Sequence, residues 1–359
     1  MATLVGYELP TATTMRDFLE ACHVEEPPLW RAGEKAVIPE ELAPLAGLGA
    51  ANRCVLAAVQ QSVPQRTATL DVDATILETH KHTATVIYEG TRGYQPVVAV
   101  WAEQDLIVHE EFRDGNVPAG YGNVRILERA VASLPPGITQ RFVRGDSALY
   151  EQAVLTWCEA PARGIGYAIS ADMSPQLYAV ITQLPEHAWQ LERAEPDAIR
   201  EWADVPYVPD NGNHRKDRPC VRRYLAVRIR RRQGELFADG RTVKHFAIVT
   251  NREGDGLTLI RWHREKAGTV EYAHHVLKNE LAAEALPSGK FGANAAWFRL
   301  NVLYRSRFLG YGYSPIQPDL WLATFGDLPR HAASGLGSKS RRTCAGERNP
   351  CRSTSHCSL

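Results

Sequence analysis

Thr67-Ala68-Thr69-Leu70-Asp71-Val72-Asp73-Ala74-Thr75 is an apolar, β-branched run with two acids at alternate positions. Such a run reads as a strand. Side chains two apart on a strand share a face, so Asp71 and Asp73 point one way while Leu70 and Val72 point the other. Two acids on one face of a core strand repel each other, and burying them is costly unless a cation or hydrogen bonds satisfy them. Taken alone, the pair fits an exposed polar face on an edge strand.

Two further acids change that balance. Asp146 closes Phe142-Val143-Arg144-Gly145-Asp146-Ser147, the end of a strand expected over 138–144 before a helix over 147–158. As a strand-to-helix turn it could also be a simple N-cap. Glu271, in Thr269-Val270-Glu271, opens an amphipathic helix expected over 269–284 and lies seven residues before Lys278. Val270, Ala273, Leu277 and Leu281 make that helix's apolar stripe, which puts Glu271, His274, His275 and Lys278 on or near the other side. Alone, Glu271 is an ordinary solvated acid of a first helical turn. Strand end, strand end and helix start, in that order, bring three carboxylates to one place. Oxygen donors of this kind suit Mg²⁺ or Mn²⁺ rather than zinc. Two such ions roughly 3.5–4 Å apart can activate a water or a 3′-hydroxyl and stabilise a leaving oxygen.

These motifs resemble those of bacterial insertion-sequence transposases of the DDE class, in the group with a β-strand insertion before the glutamate. The resemblance covers roughly residues 8–310. The segment around Asp73 resembles the family's first-aspartate motif, and Arg144-Gly145-Asp146-Ser147 its second. Glu271-x6-Lys278 resembles the end of its Y-x2-R-x3-E-x6-K signature, and Leu286-Pro287 through Asn294-Ala295-Ala296-Trp297 resembles the segment after it. The resemblance implies an α/β fold with a ribonuclease H-like core and a mainly β insertion between the second Asp and the Glu. It implies catalytic, metal-holding Asp73, Asp146 and Glu271, two Mg²⁺ or Mn²⁺ ions, and strand cleavage and transfer at the element's DNA ends. A homodimer on DNA, contact with both element ends and target, and a bacterial cytoplasmic, nucleoid-associated location follow from the same likeness. Arg264 stands at the signature's Tyr position and Ala267 at its Arg position, so Arg264 or Lys266 would have to substitute in the contacts made there. Glu265 is a rival third acid, because Arg261-x3-Glu265 fits the Arg-to-Glu spacing, but Tyr272 stands where its Lys belongs. Against the family pattern both termini read as truncated or frameshifted. Two other readings are an inactive DNA-binding remnant and another metal-dependent nuclease on the same core.

Outward from these motifs, residues 1–66 read as a helical N-terminal segment, with helices begun at Thr13 or Thr14 and over 50–61. The core takes 67–172 and 256–325, and the β-rich insertion takes 173–255, with strands at 189–193, 198–205, 221–232 and 242–250. Further strands are expected at 82–88, 97–102, 106–109 and 164–170, and helices at 124–134, 258–264 and 294–309. Residues 331–359 lose apolar periodicity and read as a disordered basic tail.

Within the insertion, Arg222, Tyr224, Arg228, Arg230 and Arg232 share one strand face and Leu225, Val227 and Ile229 the other. That pattern predicts a phosphate-binding side, with an aggregation-guarding edge strand as the bland alternative. Lys278, about two turns from Glu271, is a further candidate phosphate contact. His80, His82, His274 and His275 read as exposed histidines, since no zinc-finger spacing accompanies them.

Composition bounds the rest. The chain has 359 residues, enough for a large core, with 41 basic and 41 acidic side chains. Zero net charge does not by itself favour nucleic acid, so any DNA surface must come from local charge. No apolar run is long enough to span a bilayer, and the first residues lack a signal-peptide pattern. Seven scattered cysteines without CxxC fit reduced thiols.

Overall fold

The computed structural model describes residues 10–24, 36, 38–209, 222–232 and 236–310, with side chains to 306. Among the described residues the first helices are α1 (Ala12–Glu20) and α2 (Ala43–Ser62). Six strands follow: β1 (Thr67–Ala74), β2 (Leu77–Glu78), β3 (Thr85–Val86), β4 (Arg92–Tyr94), β5 (Val97–Trp101) and β6 (Leu106–Glu111). Next come α3 (Asn123–Ser133), β7 (Gln140–Gly145), α4 (Gln152–Glu159), β8 (Gly166–Ala171) and α5 (Pro175–Thr182). The strands β9 (Gln190–Ala194), β10 (Ala198–Val205), β11 (Arg223–Arg231) and β12 (Val243–Thr250) precede α6 (Gly256–Arg264), α7 (Val270–His275) and α8 (Phe291–Gly310).

Nine strands make one mixed sheet in the order β6-β5-β1-β7-β8-β12-β11-β10-β9. β1 pairs antiparallel with β5 and parallel with β7, and β7 pairs parallel with β8. The parallel links need crossovers, which α3 and α4 supply. This mixed α/β arrangement is consistent with the ribonuclease H-like core that the motifs imply.

Helices cover both faces, and the alternation along each strand decides which residue meets which layer. On β1, Ala68, Leu70 and Val72 join a core built with Val55, Leu56 and Val59 of α2, Ile126 and Leu127 of α3, and Val154 and Leu155 of α4. Thr69, Asp71 and Asp73 therefore face the opposite layer, which holds α1, α6, α7 and α8. There Val98 and Val100 of β5 pack with Val270 and Ala273 of α7 and with Phe298 and Val302 of α8.

The stretch 173–255 contains β9 to β12 beside α5. β12 pairs antiparallel with β8 (Ala247↔Ala171 through Thr250↔Ala168), so these strands extend the core sheet itself. The helix expected over 269–284 is broken. α7 passes into a π-helical turn, Val276–Glu280, and Ala282 at φ 53° ends it in the left-handed region. The strand expected at 82–88 shrinks to β3 in a small sheet ordered β2-β4-β3. α1 is capped by Thr11, whose Oγ1 accepts from the Thr14 amide at 3.1 Å, rather than by Thr13 or Thr14. α2 begins at Ala43, with Pro44 in its first turn, seven residues earlier than expected. The predicted tail, 331–359, lies outside the described residues. Among the described residues no helix is long and apolar enough to cross a membrane.

Candidate active site

The in-register pairs Asp71↔Arg144 and Val72↔Gly145 bring β1 and β7 side by side up to their C-terminal ends. The next residues along are Asp73, still on β1, and Asp146, just past the end of β7. Adjacent strands lie about 4.8 Å apart, so the two aspartates are neighbours because two parallel strands end together. Open α/β sheets bind ligands at such carboxyl ends. Asp146 also caps the short helical turn Ser147–Leu149, accepting from the Ala148 amide at 3.0 Å. The capping and functional readings of this residue are thus compatible.

Asp73 accepts a hydrogen bond from the Ala74 amide at 2.9 Å. Its side chain is 20% exposed. Burial, then repulsion from Asp146, push its carboxyl up to about 6, with Lys266 pulling against them and Glu271 adding to the rise. Asp146 and Glu271 thus both act on Asp73, on the α6–α7 side of the sheet. Glu271 is the outermost, 58% exposed, with its Oε1 3.9 Å from the Lys266 ammonium.

Asp71 does something different. Fully buried, it accepts from Arg144 Nε at 2.6 Å and Nη2 at 2.8 Å, and from the Thr269 hydroxyl. Burial pushes its carboxyl up, while Arg144 and Thr269 oppose that. Arg144 Nη1 also donates to the Trp262 carbonyl at 2.5 Å and to Glu265 at 2.9 Å. One guanidinium thus ties β1 to β7 and both strands to the end of α6. Glu265, the rival third acid, is held in this brace by Arg144. His263 of α6 adds a second tie, its Nε2 lying 3.0 Å from the Gly145 carbonyl, and burial lowers its ring to about 4. A neutral imidazole beside a carbonyl must donate, which sets the proton on Nε2.

His274 corrects another expectation. It is 7% exposed, and its Nε2 sits 3.9 Å from Asp73 Oδ2. Burial, then the charges of Lys278 and Arg305, lower it to about 4. Sequence reading missed it because it was placed with the solvent-facing residues. It also missed the roles of Asp71, Arg144 and Thr269, although two acids beside one arginine in paired strands was an available signal.

The expected basic face is also different. β11 lies between β10 and β12, so both its sides are covered. Tyr224 and Ala226 enter one core, Leu225 and Val227 another. Arg222 is bound to Glu159 at 2.7 and 3.0 Å and to Gln152 at 2.7 Å. Arg228 is 7% exposed, bridges Glu186 and Glu201, and lies over the Trp189 ring at 4.2 Å. Arg230 is bound to Glu201 at 2.8 Å and is 40% exposed. Arg232, by contrast, is exposed. Near the cleft, Arg264 pairs with Glu192, and Lys278 Nζ donates to the Ile76 carbonyl at 2.9 Å.

The donors fit a hard divalent ion in kind, since they are carboxylates whose mutual repulsion a cation would relieve. Among the described residues, however, no three His, Cys, Asp or Glu side chains are gathered so that they could hold one ion as they stand.

No curated protein matches the chain. Among solved structures it is similar to a piggyBac transposase in a synaptic complex with hairpin DNA, at 8% identity and a TM-score of 0.42. That match covers 79% of this chain and 57% of the piggyBac chain, so the present chain spans little more than half of that relative's length. The family described as Transposase DDE domain group 1 matches residues 35–304, which contain all three predicted acids, and the chain belongs to that DDE transposase family.

Proposed function

We propose that this chain catalyses metal-dependent cleavage and transfer of DNA strands at insertion-sequence ends, with Asp73, Asp146 and Glu271 as the metal-holding carboxylates. Membership in the DDE transposase family implies polynucleotidyl transfer. The observation that carries the site assignment is the state of Asp73, a partly buried carboxyl raised to about 6 by burial and by the charges of Asp146 and Glu271. Bound Mg²⁺ or Mn²⁺ would supply charge neutralisation, an activated water or 3′-hydroxyl, and stabilisation of the leaving oxygen. The protein's share is positioning. Paired strand ends fix the two aspartates, and the Arg144 brace holds the segment that leads into Glu271.

The cation best placed for DNA is Arg232, exposed at the end of β11, while Lys266 lies deeper and pairs with Glu271. Arg222, Arg228, Arg230 and Arg264 are occupied by carboxylates, and Lys278 by a backbone carbonyl. We further assign the catalytic core to 67–172 and 256–325, and treat 173–255 as an insertion that lengthens its sheet. A homodimer on paired ends completes the reading.

The test is cleavage of DNA carrying the element's own ends, with Mg²⁺ or Mn²⁺. Asp73→Ala, Asp146→Ala and Glu271→Ala should each abolish cleavage while leaving DNA binding within about threefold, since phosphate contacts dominate affinity. Full activity in any of the three would remove that residue from the site. Cleavage without preference for the ends would favour a plain nuclease.

A further inference from the structure

His274 is an imidazole with both ring nitrogens buried and, among the described residues, without a hydrogen-bond partner. Buried polar atoms are nearly always satisfied, so a doubly unsatisfied ring calls for an unseen water or ion. Its place narrows the choice. It is three residues after Glu271 on α7, hence on the same side of the helix, and it sits deeper. Its Nε2 faces Asp73 Oδ2 at 3.9 Å, too far for a hydrogen bond. Two donors that each lie about 2.1 Å from one ion are at most about 4.2 Å apart. The gap is thus one that a shared cation can span.

On the reading that Asp73, Asp146 and Glu271 hold metal, we infer that His274 is a further ligand, a nitrogen donor that biases the site towards Mn²⁺ over Mg²⁺. Mg²⁺ takes oxygen donors almost exclusively; Mn²⁺ also favours oxygen but, as a first-row transition ion, binds a nitrogen donor more strongly than Mg²⁺ does. Three acids alone give no such bias. The carboxylates set the charge of the site, and the histidine sets which ion profits from it.

The test uses the purified full chain with metal alone. Mn²⁺ and Mg²⁺ affinities are measured by calorimetry, and pulsed electron paramagnetic resonance on the Mn²⁺ form reads coupling to directly bound ¹⁴N. His274→Leu fills the same apolar surroundings and His274→Gln keeps a polar group there. Thermal melting checks that each is folded. The inference expects ¹⁴N coupling in wild type, its loss in both variants, and Mn²⁺ affinity lowered about tenfold or more with Mg²⁺ affinity little changed. If wild type binds Mn²⁺ without nitrogen coupling, and Asp73→Ala and Asp146→Ala weaken that binding, the carboxylate reading stands and the histidine inference is overturned. Mn²⁺ binding indifferent to Asp73→Ala and Asp146→Ala would overturn both.

Discussion

Asp71 and Asp73 sit two positions apart on one face of β1, and their surroundings give them opposite tasks. Asp71 is neutralised by a bidentate arginine and a hydroxyl, so it serves the fold. Asp73 meets two other acids and an unpartnered histidine, so without a cation its charge works against the fold. Its carboxyl titrates near 6 folded and near 3.8 when unperturbed. Between those values the folded chain holds a proton that the unfolded chain has lost, so metal-free stability falls as pH rises through this window. Asp73→Asn should therefore stabilise the metal-free protein above the higher value by up to roughly 3 kcal/mol. The gain should fade as pH falls towards the lower one. Urea denaturation with a chelator present checks this, and an unchanged midpoint at neutral pH would mean the acids do not crowd one another.

Among elements, the decisive contact is the Arg144 brace between β1, β7 and the end of α6. A single buried guanidinium serves Asp71, the Trp262 carbonyl and Glu265. Removing one partner of a buried pair leaves the other charge uncompensated, so Arg144→Ala should cost about 3–5 kcal/mol in denaturant unfolding. Arg144→Lys should recover only part of it, since an ammonium cannot reproduce the planar fork. A second lock is Gly256, the first residue of α6. A Cβ there would collide with the Trp202 ring of β10. Gly256→Ala should shift α6 off the lengthened sheet and lower stability by about 1–3 kcal/mol. A neutral result would show that α6 is not seated by this contact. Arg228 belongs at this scale too. With Glu186, Glu201 and Trp189 around it, Arg228→Ala should act mainly on stability, with little change in the salt dependence of DNA binding.

Across the whole molecule, the sheet runs unbroken from β6 to β9. The β8–β12 pairing joins β8 to the strands that follow it in the sheet, and Trp202, Leu225, Val227 and Ile248 pack with Leu259 and Ile260 of α6. The added strands should therefore open with the core. Amide hydrogen exchange in β10, β11 and β12 should match the slow rates of β1 and β7. Much faster exchange in those three strands would mark a separately unfolding unit.

What was legible in the sequence was local. Alternation around Asp73, the strand before Asp146 and the apolar stripe of Val270, Ala273 and Leu277 are period-two and helical patterns, and such patterns come from backbone geometry alone. They were enough to place three acids on the right elements and to anticipate the strands of 173–255. What the sequence could not express was pairing between distant segments. Whether β12 joins β8, whether the β11 arginines meet water or Glu159, Glu186 and Glu201, and whether His274 faces solvent or Asp73 all depend on residues tens to hundreds of positions away. A stretch of residues specifies which of its faces is apolar, but only the tertiary fold decides what covers the other one.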